Sequence, residues 1–193
     1  IIIPDQLEAG TLAIAVAASQ GSVVIEEFVA EDHDMLLLKF AEMGVNFTML
    51  DDRTIEIKPS DELKAIDIQT QPYPGLPSDL QAPFAVLMTQ AKGKSEIFEI
   101  MYEGRLNYLF ELQRMGAETS IRDPHVGQIE GPTRLHGTEL ISFDIRAGAT
   151  ILIAALIAEG TTTIDRVEHI DRGYEFFDKR LVSLGARMKR VEE

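Results

Sequence analysis

Three aspartates stand where apolar, alanine-rich segments of the chain begin, and they are the first candidates for acid–base chemistry. They are Asp5, Asp79 and Asp144. An aspartate at a helix N-terminus caps free N–H groups and is stabilised by the helix dipole, so each of them can be purely structural. In LPSDLQA, however, Ser78 and Gln81 fit a capping box. If Ser78 is the cap, Asp79 is left to accept a proton from a substrate, and the residues alone support both roles.

Three arginines stand beside the same predicted helix ends. Arg146 begins the third apolar helix, whereas Arg105 and Arg172 precede the second helices of two later segments. A guanidinium beside a helix N-terminus suits a phosphate or a carboxylate, because its paired donors add to the free backbone N–H groups. A surface ion pair, such as Asp171 with Arg172, explains these residues equally well. The sequence therefore leaves an anion site and surface ion pairs as alternatives.

Composition excludes several classes of function. The 193 residues carry a net charge of −14, which repels polyphosphate backbones and argues against nucleic acid as a partner. There is no cysteine, and the four histidines lack ligand-like spacing, so we expect no metal and no cofactor. No apolar segment reaches the roughly 18 residues that span a bilayer, so we expect no membrane partner.

Two sets of glycines recur at similar spacing and indicate an internal repeat. The first set is Gly21, Gly93 and Gly160, and the second is Gly44, Gly116 and Gly185. We predict one globular domain over 1–193, with repeats of approximately 1–60, 61–132 and 133–193. The first glycine of each unit is predicted to adopt the left-handed conformation at or just beyond a helix end.

Each repeat is predicted to have the order β-α-β-α-β-β. The first strands are Ile1–Ile3, Ile66–Ile68 and Leu140–Ser142, and the first helices are Ala9–Ser19, Leu80–Ala91 and Ala147–Ala158. Further strands are predicted at Val23–Glu26, Glu96–Ile100, Thr162–Arg166, Asn46–Leu50, Thr54–Lys58 and near Arg187–Val191, and second helices at Met35–Met43, Leu106–Met115 and Glu175–Leu184. The first helices are apolar almost all round and must be buried. We therefore predict a mixed α/β fold with helices inside and sheets outside, the reverse of an eight-stranded α/β barrel.

Several blocks resemble one domain of the UDP-N-acetylglucosamine enolpyruvyl transferase family. They are PYPGLPSDLQA, YEGRLNYLFELQRMGAE, FDIRAGATILIAALIAEGTTTIDRVEHIDRGYE and RLVSLGA. The broader superfamily includes enolpyruvylshikimate phosphate synthase, but these blocks look like the nucleotide-sugar enzyme. The resemblance implies an enolpyruvyl transferase-type inside-out α/β barrel domain of three β-α-β-α-β-β repeats.

The resemblance also implies a reaction. The enolpyruvyl group of phosphoenolpyruvate passes to the 3-hydroxyl of UDP-N-acetylglucosamine with release of phosphate, the first committed step of peptidoglycan synthesis in the bacterial cytoplasm. Asp79 matches the proposed base, and Arg105 and Arg172 match arginines that hold the phosphate and carboxylate of phosphoenolpyruvate. The other matching positions are Asp5, Asp144 and Arg146 in the cleft, and Met101 and Tyr102 near the uracil and ribose.

The family's other domain, which carries the acid-bearing loop, has no counterpart in this sequence. We therefore expect half of a cleft, with that N-terminal domain as the missing partner, and no turnover by the chain alone. The chain begins inside an apolar run, which favours a fragment. Two alternatives stay open: a stand-alone domain that binds a nucleotide sugar or an anion, and a structural domain whose aspartates only cap helices.

Overall fold

Three apolar helices form the centre of the computed structural model, which describes residues 2–191. They are α1 (Gln6–Ala18), α3 (Ser78–Met88) and α5 (Ile145–Ile157). Helix α3 packs along both α1 and α5, and α1 also contacts α5. In α3 every residue except Asp79 is buried, so the helix has no solvent-facing stripe. The prediction of buried central helices is confirmed.

Sheets and amphipathic helices surround this centre. The strands are β1 (Val23–Glu26), β2 (Asn46–Asp51), β3 (Thr54–Lys58), β4 (Ile68–Gln69), β5 (Gly93–Phe98), β6 (Glu118–Asp123), β7 (Val126–Gly131), β8 (Glu139–Ile141) and β9 (Thr163–Asp165). The outer helices are α2 (Asp34–Met43), α4 (Tyr108–Arg114), α6 (Glu168–Asp171) and α7 (Phe177–Ser183), and a 3-10 turn covers Ala30–His33. The fold is therefore mixed α/β, as predicted, with its helices inside and its sheets outside.

The strands pair in the same way in successive parts of the chain. The first sheet has the order β1-β3-β2 and is antiparallel throughout. The second has the order β4-β5-β7-β6, so its β5-β7-β6 part repeats the first sheet, and β4 pairs parallel to β5. The third contains β8 and β9, which pair in parallel as β4 and β5 do. Within residues 2–191 the strands remain in three separate sheets and do not close into one barrel.

Two predicted strands do not form where the sequence suggested them. Ile1 of the predicted Ile1–Ile3 strand lies outside the described residues, and Ile2 and Ile3 are exposed and unpaired. The segment near Arg187–Val191 is also irregular. Its Arg190 makes two bonds to Asp171 at 2.7 and 2.8 Å, so an ion pair rather than strand pairing attaches this segment. The repeat boundaries near residues 60 and 132 stay predictions.

The recurring glycines take the left-handed conformation with one exception. Gly93 and Gly160 have positive φ angles of 119° and 95°, and Gly44, Gly116 and Gly185 have 86°, 95° and 103°. At the end of α1, however, it is Gln20 that has a positive φ, of 53°. The prediction for Gly21 is therefore wrong by one residue. A single left-handed residue is enough to end a helix, and here it comes one position earlier.

We expect Phe84→Ala to lower the free energy of unfolding by about 3–5 kcal/mol, because it would leave a cavity in the core between α3 and α2. Phe84 is fully buried in α3, and its ring centroid lies 5.9 Å from that of Phe40 in α2. Phe110→Ala is the matched control, since half of the Phe110 side chain is exposed. Chemical denaturation of both variants measures the difference. Equal losses would contradict the central position of Phe84.

Candidate functional site

The N-terminal ends of the three central helices lie together at one end of the molecule. A Cβ atom added to Gly10 of α1 would lie 2.8 Å from Leu80 Cδ1 of α3, so these two helices approach closely near their first turns. Asp79 of α3 contacts Arg146 of α5, and this contact joins the first turns of these two helices. This end therefore collects the free N–H groups of three helices, an arrangement that favours anions.

Asp79 forms ion pairs with two arginines and caps nothing. Its Oδ1 lies 2.7 Å from Arg146 Nε and 3.3 Å from Arg105 Nη1. The N-cap residue of α3 is Pro77, and no side chain caps this helix. The prediction that Ser78 is the cap of a capping box is therefore wrong, although the consequence drawn from it, that Asp79 is free of a capping task, is correct.

Asp5 and Asp144 differ from Asp79 because both cap their helices. The Asp5 carboxylate accepts hydrogen bonds from the N–H groups of Leu7 and Glu8 at 2.8 and 3.1 Å. The Asp144 carboxylate accepts from the N–H groups of Arg146 and Ala147 at 2.8 and 2.9 Å. The capping role considered for all three aspartates thus applies to Asp5 and Asp144.

Arg105 is held on three sides. Its Nη1 donates to Ser78 Oγ at 2.6 Å as well as to Asp79. Its guanidinium also lies over the ring of Tyr102, 3.7 Å from the centroid, where a cation–π contact is favourable. Gly104 precedes it with a φ of 74°, which a side chain would strain, so the chain can turn sharply into this position.

A cavity of about 550 Å³ opens beside these groups, between the first turns of α3 and α5 and the segment that leads into α4. Arg105 and Arg146 line it together with Asp144, and Phe110 and Phe143 form an apolar part of its wall. The Asp144 carboxylate is occupied as a helix cap. Glu103 and Glu111 line it as well, so the cavity wall carries side chains of both charges.

Met101, Tyr102 and Arg172 do not line this cavity, although Tyr102 contacts Arg105, which does. The side chains of Met101 and Tyr102 are partly exposed. Arg172 ends α6, and the predicted pair of Asp171 with Arg172 is wrong, because Asp171 binds Arg190 instead. Arg172 makes no ion pair in the part of the chain that is described.

Arg172 is nevertheless tied to the first turn of α5 through its neighbour. A Cβ atom added to Gly173 would lie only 2.3 Å from Ile145 Cγ2, so the backbone after Arg172 packs directly on the first residue of α5. The absence of a side chain at Gly173 permits this approach. Arg172 is thus placed near the common end of the helices, without a contact to the other site residues.

Glu99 is a buried carboxylate that the sequence interpretation missed. It accepts five hydrogen bonds: from Thr70 Oγ1, Ser78 Oγ and Gln81 Nε2, and from the N–H groups of Met101 and Tyr102. The alternation of strand β5 was a usable signal, because Ser95, Ile97 and Glu99 are spaced by two and all are buried. An acid continuing the inward face of a strand must have partners inside the fold.

Burial and hydrogen bonding act on Glu99 in opposite directions. Burial by itself raises the pKa of a carboxyl group, since it disfavours the charged form. The donors at Ser78, Met101, Thr70 and Gln81 outweigh this effect and hold the pKa of Glu99 below its usual value. The negative charge of Glu99 adds to burial in raising the pKa of Tyr108, whose hydroxyl donates to Gln81. Glu99 is therefore ionised at neutral pH.

Tyr174 is a second group that the sequence interpretation missed. Its hydroxyl lies 3.1 Å from Thr11 Oγ1 and so joins α1 to the segment between α6 and α7. Burial raises the pKa of Tyr174, the bond to Thr11 lowers it, and the charges of Asp79 and Asp5 raise it further.

Residues 2–191 lack two other features, a cluster of metal ligands and a membrane-spanning helix. No cluster of three or more His, Asp or Glu side chains there could hold a metal ion. In the same residues, no helix has the length and apolar character required to cross a membrane.

Comparison with known proteins gives a consistent family. Residues 1–181 match the family described as EPSP synthase (3-phosphoshikimate 1-carboxyvinyltransferase). The chain is 41% identical over 191 residues to the UDP-N-acetylglucosamine 1-carboxyvinyltransferase of Halothermothrix orenii, a match covering 99% of this chain and 45% of that protein. It is 43% identical to the enzyme of the same name from Prochlorococcus marinus, with 98% and 41% covered. The chain thus spans less than half the length of these relatives.

Solved structures have the same architecture. The enolpyruvyl transferase NikO from Streptomyces tendae superposes with a TM-score of 0.88 at 29% identity, over 97% of this chain and 44% of that one. EPSP synthase from Acinetobacter baumannii gives a TM-score of 0.75 at 19% identity, over 95% and 46%. The second likeness concerns the fold alone.

We expect the stability of the chain to fall as the pH drops through the folded pKa of Glu99, below the usual range of glutamate. A depressed pKa stabilises the fold at pH values above the unfolded pKa, and this contribution is lost in acid. Glu99→Gln should lower the free energy of unfolding by about 2 kcal/mol at neutral pH and remove the part of its acid dependence that comes from Glu99. Urea unfolding at a series of pH values measures it.

Glu96→Gln is the control for this experiment. Glu96 lies in β5, just before Glu99 in the chain, but is partly exposed, and it pairs with Arg122 at 2.9 Å. Tyr108, His125 and Arg105 are the other ionisable side chains around Glu99. An acid dependence that survives Glu99→Gln unchanged would assign the effect to other groups.

Proposed function

Because the chain belongs to the EPSP synthase (3-phosphoshikimate 1-carboxyvinyltransferase) family, we propose that it forms one half of the active site of an enolpyruvyl transferase. The reaction would move the enolpyruvyl group of phosphoenolpyruvate to the 3-hydroxyl of UDP-N-acetylglucosamine and release phosphate. The nucleotide sugar is favoured over shikimate 3-phosphate because the relatives at 41–43% identity have that substrate in their name. The EPSP synthase superposed above is only 19% identical.

The observation that carries this proposal is the cluster of Asp79, Arg105 and Arg146. A carboxylate that caps no helix pairs with two guanidiniums, and both of these guanidiniums line the cavity although the carboxylate itself does not. A structural domain would need no such arrangement, since the equivalent carboxylates Asp5 and Asp144 show that a helix of this fold is capped directly. Asp79 is therefore available as the base that takes the proton of the sugar 3-hydroxyl.

The proposed chemistry is an addition followed by an elimination. The sugar oxygen would add to C2 of phosphoenolpyruvate as its proton passes to Asp79, while C3 gains a proton from an acid outside this chain. The tetrahedral ketal would then lose phosphate as C3 gives up a proton, which restores the double bond. Asp79 must reach the hydroxyl within hydrogen-bond distance, and its partly exposed position permits this.

The other residues would bind and orient the substrates. Arg105 and Arg172 would hold the phosphate and carboxylate of phosphoenolpyruvate, each charge-assisted bond being worth about 1.5–3 kcal/mol. Arg146 would fix Asp79 through the 2.7 Å contact. The remaining assignments are Asp5 and Asp144 in the cleft wall beside their capping role, and Met101 and Tyr102 at the uracil and ribose.

The protein that carries this chain would act in the bacterial cytoplasm. Both substrates are cytoplasmic metabolites, and the product would be the first committed intermediate of peptidoglycan, so the function would belong to cell-wall synthesis. The missing partner would be the domain that corresponds to the uncovered part of the relatives, which span more than twice the length of this chain.

We expect no release of phosphate by this chain alone, and release once the uncovered part of the Halothermothrix orenii relative is supplied. The reason is that Asp79 provides a base while the acid comes from elsewhere. Phosphate is measured with phosphoenolpyruvate and UDP-N-acetylglucosamine present. Turnover by the chain alone would contradict the division of the site. If the two parts associate without turnover, the chain is a domain that only binds its ligand.

In the complemented enzyme we expect Asp79→Asn to lower kcat by about 10²–10⁴-fold, because an amide cannot take the proton. Its thermal unfolding should change little, since Asp79 caps no helix and is partly exposed. Asp51→Asn is the matched control: its carboxylate accepts from Arg53 N–H at 2.8 Å in the β2–β3 turn, away from the cavity, and asparagine suits the same turn. Full activity of Asp79→Asn would exclude Asp79 as the base.

A further inference from the structure

We propose that Glu99 is a positioning residue, which holds Arg105 in its place at the cavity through Ser78 and Tyr102. Glu99 itself does not line the cavity, but it accepts hydrogen bonds from Ser78 and Gln81, which do. The inference rests on the proposed function in one respect, because it takes Arg105 to be a ligand for the anion of phosphoenolpyruvate.

The first connection runs through the hydroxyl of Ser78. Glu99 Oε2 accepts the Ser78 proton at 2.6 Å, and Ser78 Oγ accepts from Arg105 Nη1, also at 2.6 Å. The direction of both bonds is fixed, because an ionised carboxylate only accepts and a guanidinium only donates. Ser78 has a single proton, and giving it to Glu99 leaves a lone pair that faces Arg105. The charge of Glu99 thus orients the acceptor that Arg105 requires.

The second connection runs through the backbone. Glu99 Oε1 accepts from the N–H groups of Met101 and Tyr102 at 2.9 and 3.3 Å, which folds the chain back over the carboxylate. This fold places the Tyr102 ring against the guanidinium of Arg105, 3.7 Å from its carbon to the ring centroid. Ser78 therefore binds one nitrogen of the Arg105 guanidinium, and Tyr102 covers one of its faces. Glu99 holds both Ser78 and Tyr102 in place.

Glutamine at position 99 would break this arrangement, although its side chain is about as large as that of glutamate. Thr70, Ser78, Gln81 and two backbone N–H groups all donate to Glu99, so the amide NH₂ of a glutamine would face at least one donor. Either the N–H groups of Met101 and Tyr102 or the hydroxyl of Ser78 would have to turn away from the amide. The Ser78 hydroxyl rotates freely and is the group expected to turn, which would leave Arg105 facing a proton instead of a lone pair.

The test measures the affinity of the 193-residue chain for phosphoenolpyruvate by calorimetry. We expect Glu99→Gln and Ser78→Ala each to weaken binding about tenfold or more, as the loss of one charge-assisted bond predicts. The affinity of the double variant should lie within about twofold of the affinity of the weaker-binding single variant, because both changes remove the same connection. Glu96→Gln should bind like the parent chain. Unchanged binding by Glu99→Gln, or additive losses in the double variant, would overturn the proposal.

A second pair of variants covers the case in which Glu99→Gln does not fold. Thr70→Val and Ser78→Ala each remove one hydroxyl donor of Glu99, but only Ser78 contacts Arg105. A positioning role requires that Ser78→Ala lower the affinity for phosphoenolpyruvate about tenfold or more and that Thr70→Val lower it less than about threefold. Equal losses for the two variants would reduce Glu99 to a purely structural role.

A measurement without ligand separates this inference from the proposed function. Nuclear magnetic resonance of the Arg105 guanidinium reports how fast it rotates about its Nε–Cζ bond. We expect faster rotation in Glu99→Gln and Ser78→Ala, and the parent rate in Glu96→Gln. If the parent chain does not bind phosphoenolpyruvate but these rates change as expected, the proposed function fails and the positioning role stands. Unchanged rates would refute the positioning role whatever the chain binds.

Discussion

The burial of three helices without a polar face is the constraint on which the rest of this structure depends. Helices α1, α3 and α5 cannot face water, so they pack on one another and the sheets must surround them. Their first turns meet at one end, and the polar groups that a helix start requires are concentrated there. The candidate site follows from this packing, because Asp79 and Arg146 belong to the first turns of α3 and α5 and contact each other there.

The three helix starts are equivalent in the repeat but differ in how their polar groups are satisfied. Asp5 and Asp144 cap α1 and α5 by direct bonds to backbone N–H groups. Helix α3 begins after Pro77 with no side-chain cap, and its first two side chains turn to other partners. Ser78 binds a buried glutamate, and Asp79 binds two arginines. The departure of one unit from the repeat is what separates a chemically available carboxylate from two structural ones.

The distribution of charge at this end differs from the overall charge of the chain. The chain carries −14, yet Arg105 and Arg146 line one cavity and point to the same carboxylate. Buried Glu99 is also connected to this arrangement, because it accepts hydrogen bonds from Ser78 and from the Tyr102 N–H, and both of these residues contact Arg105. The chain spans less than half of its relatives, and a cleft that faces another domain would explain why a polar, arginine-lined surface stands open at this end.

Apolar pattern and glycine spacing were enough to determine the buried helices, most strands and the inside-out order of the layers. Periodicity reports burial directly, which is why Val23–Glu26 and Thr54–Lys58 were predicted with their observed bounds. The sequence also marked Asp79 and Arg105 as candidates, partly through resemblance. Only the tertiary structure decided that Ser78 binds Glu99 instead of capping α3, and that Asp79 pairs with Arg146. These contacts join residues far apart in the chain, and local signals such as a capping box describe only neighbours.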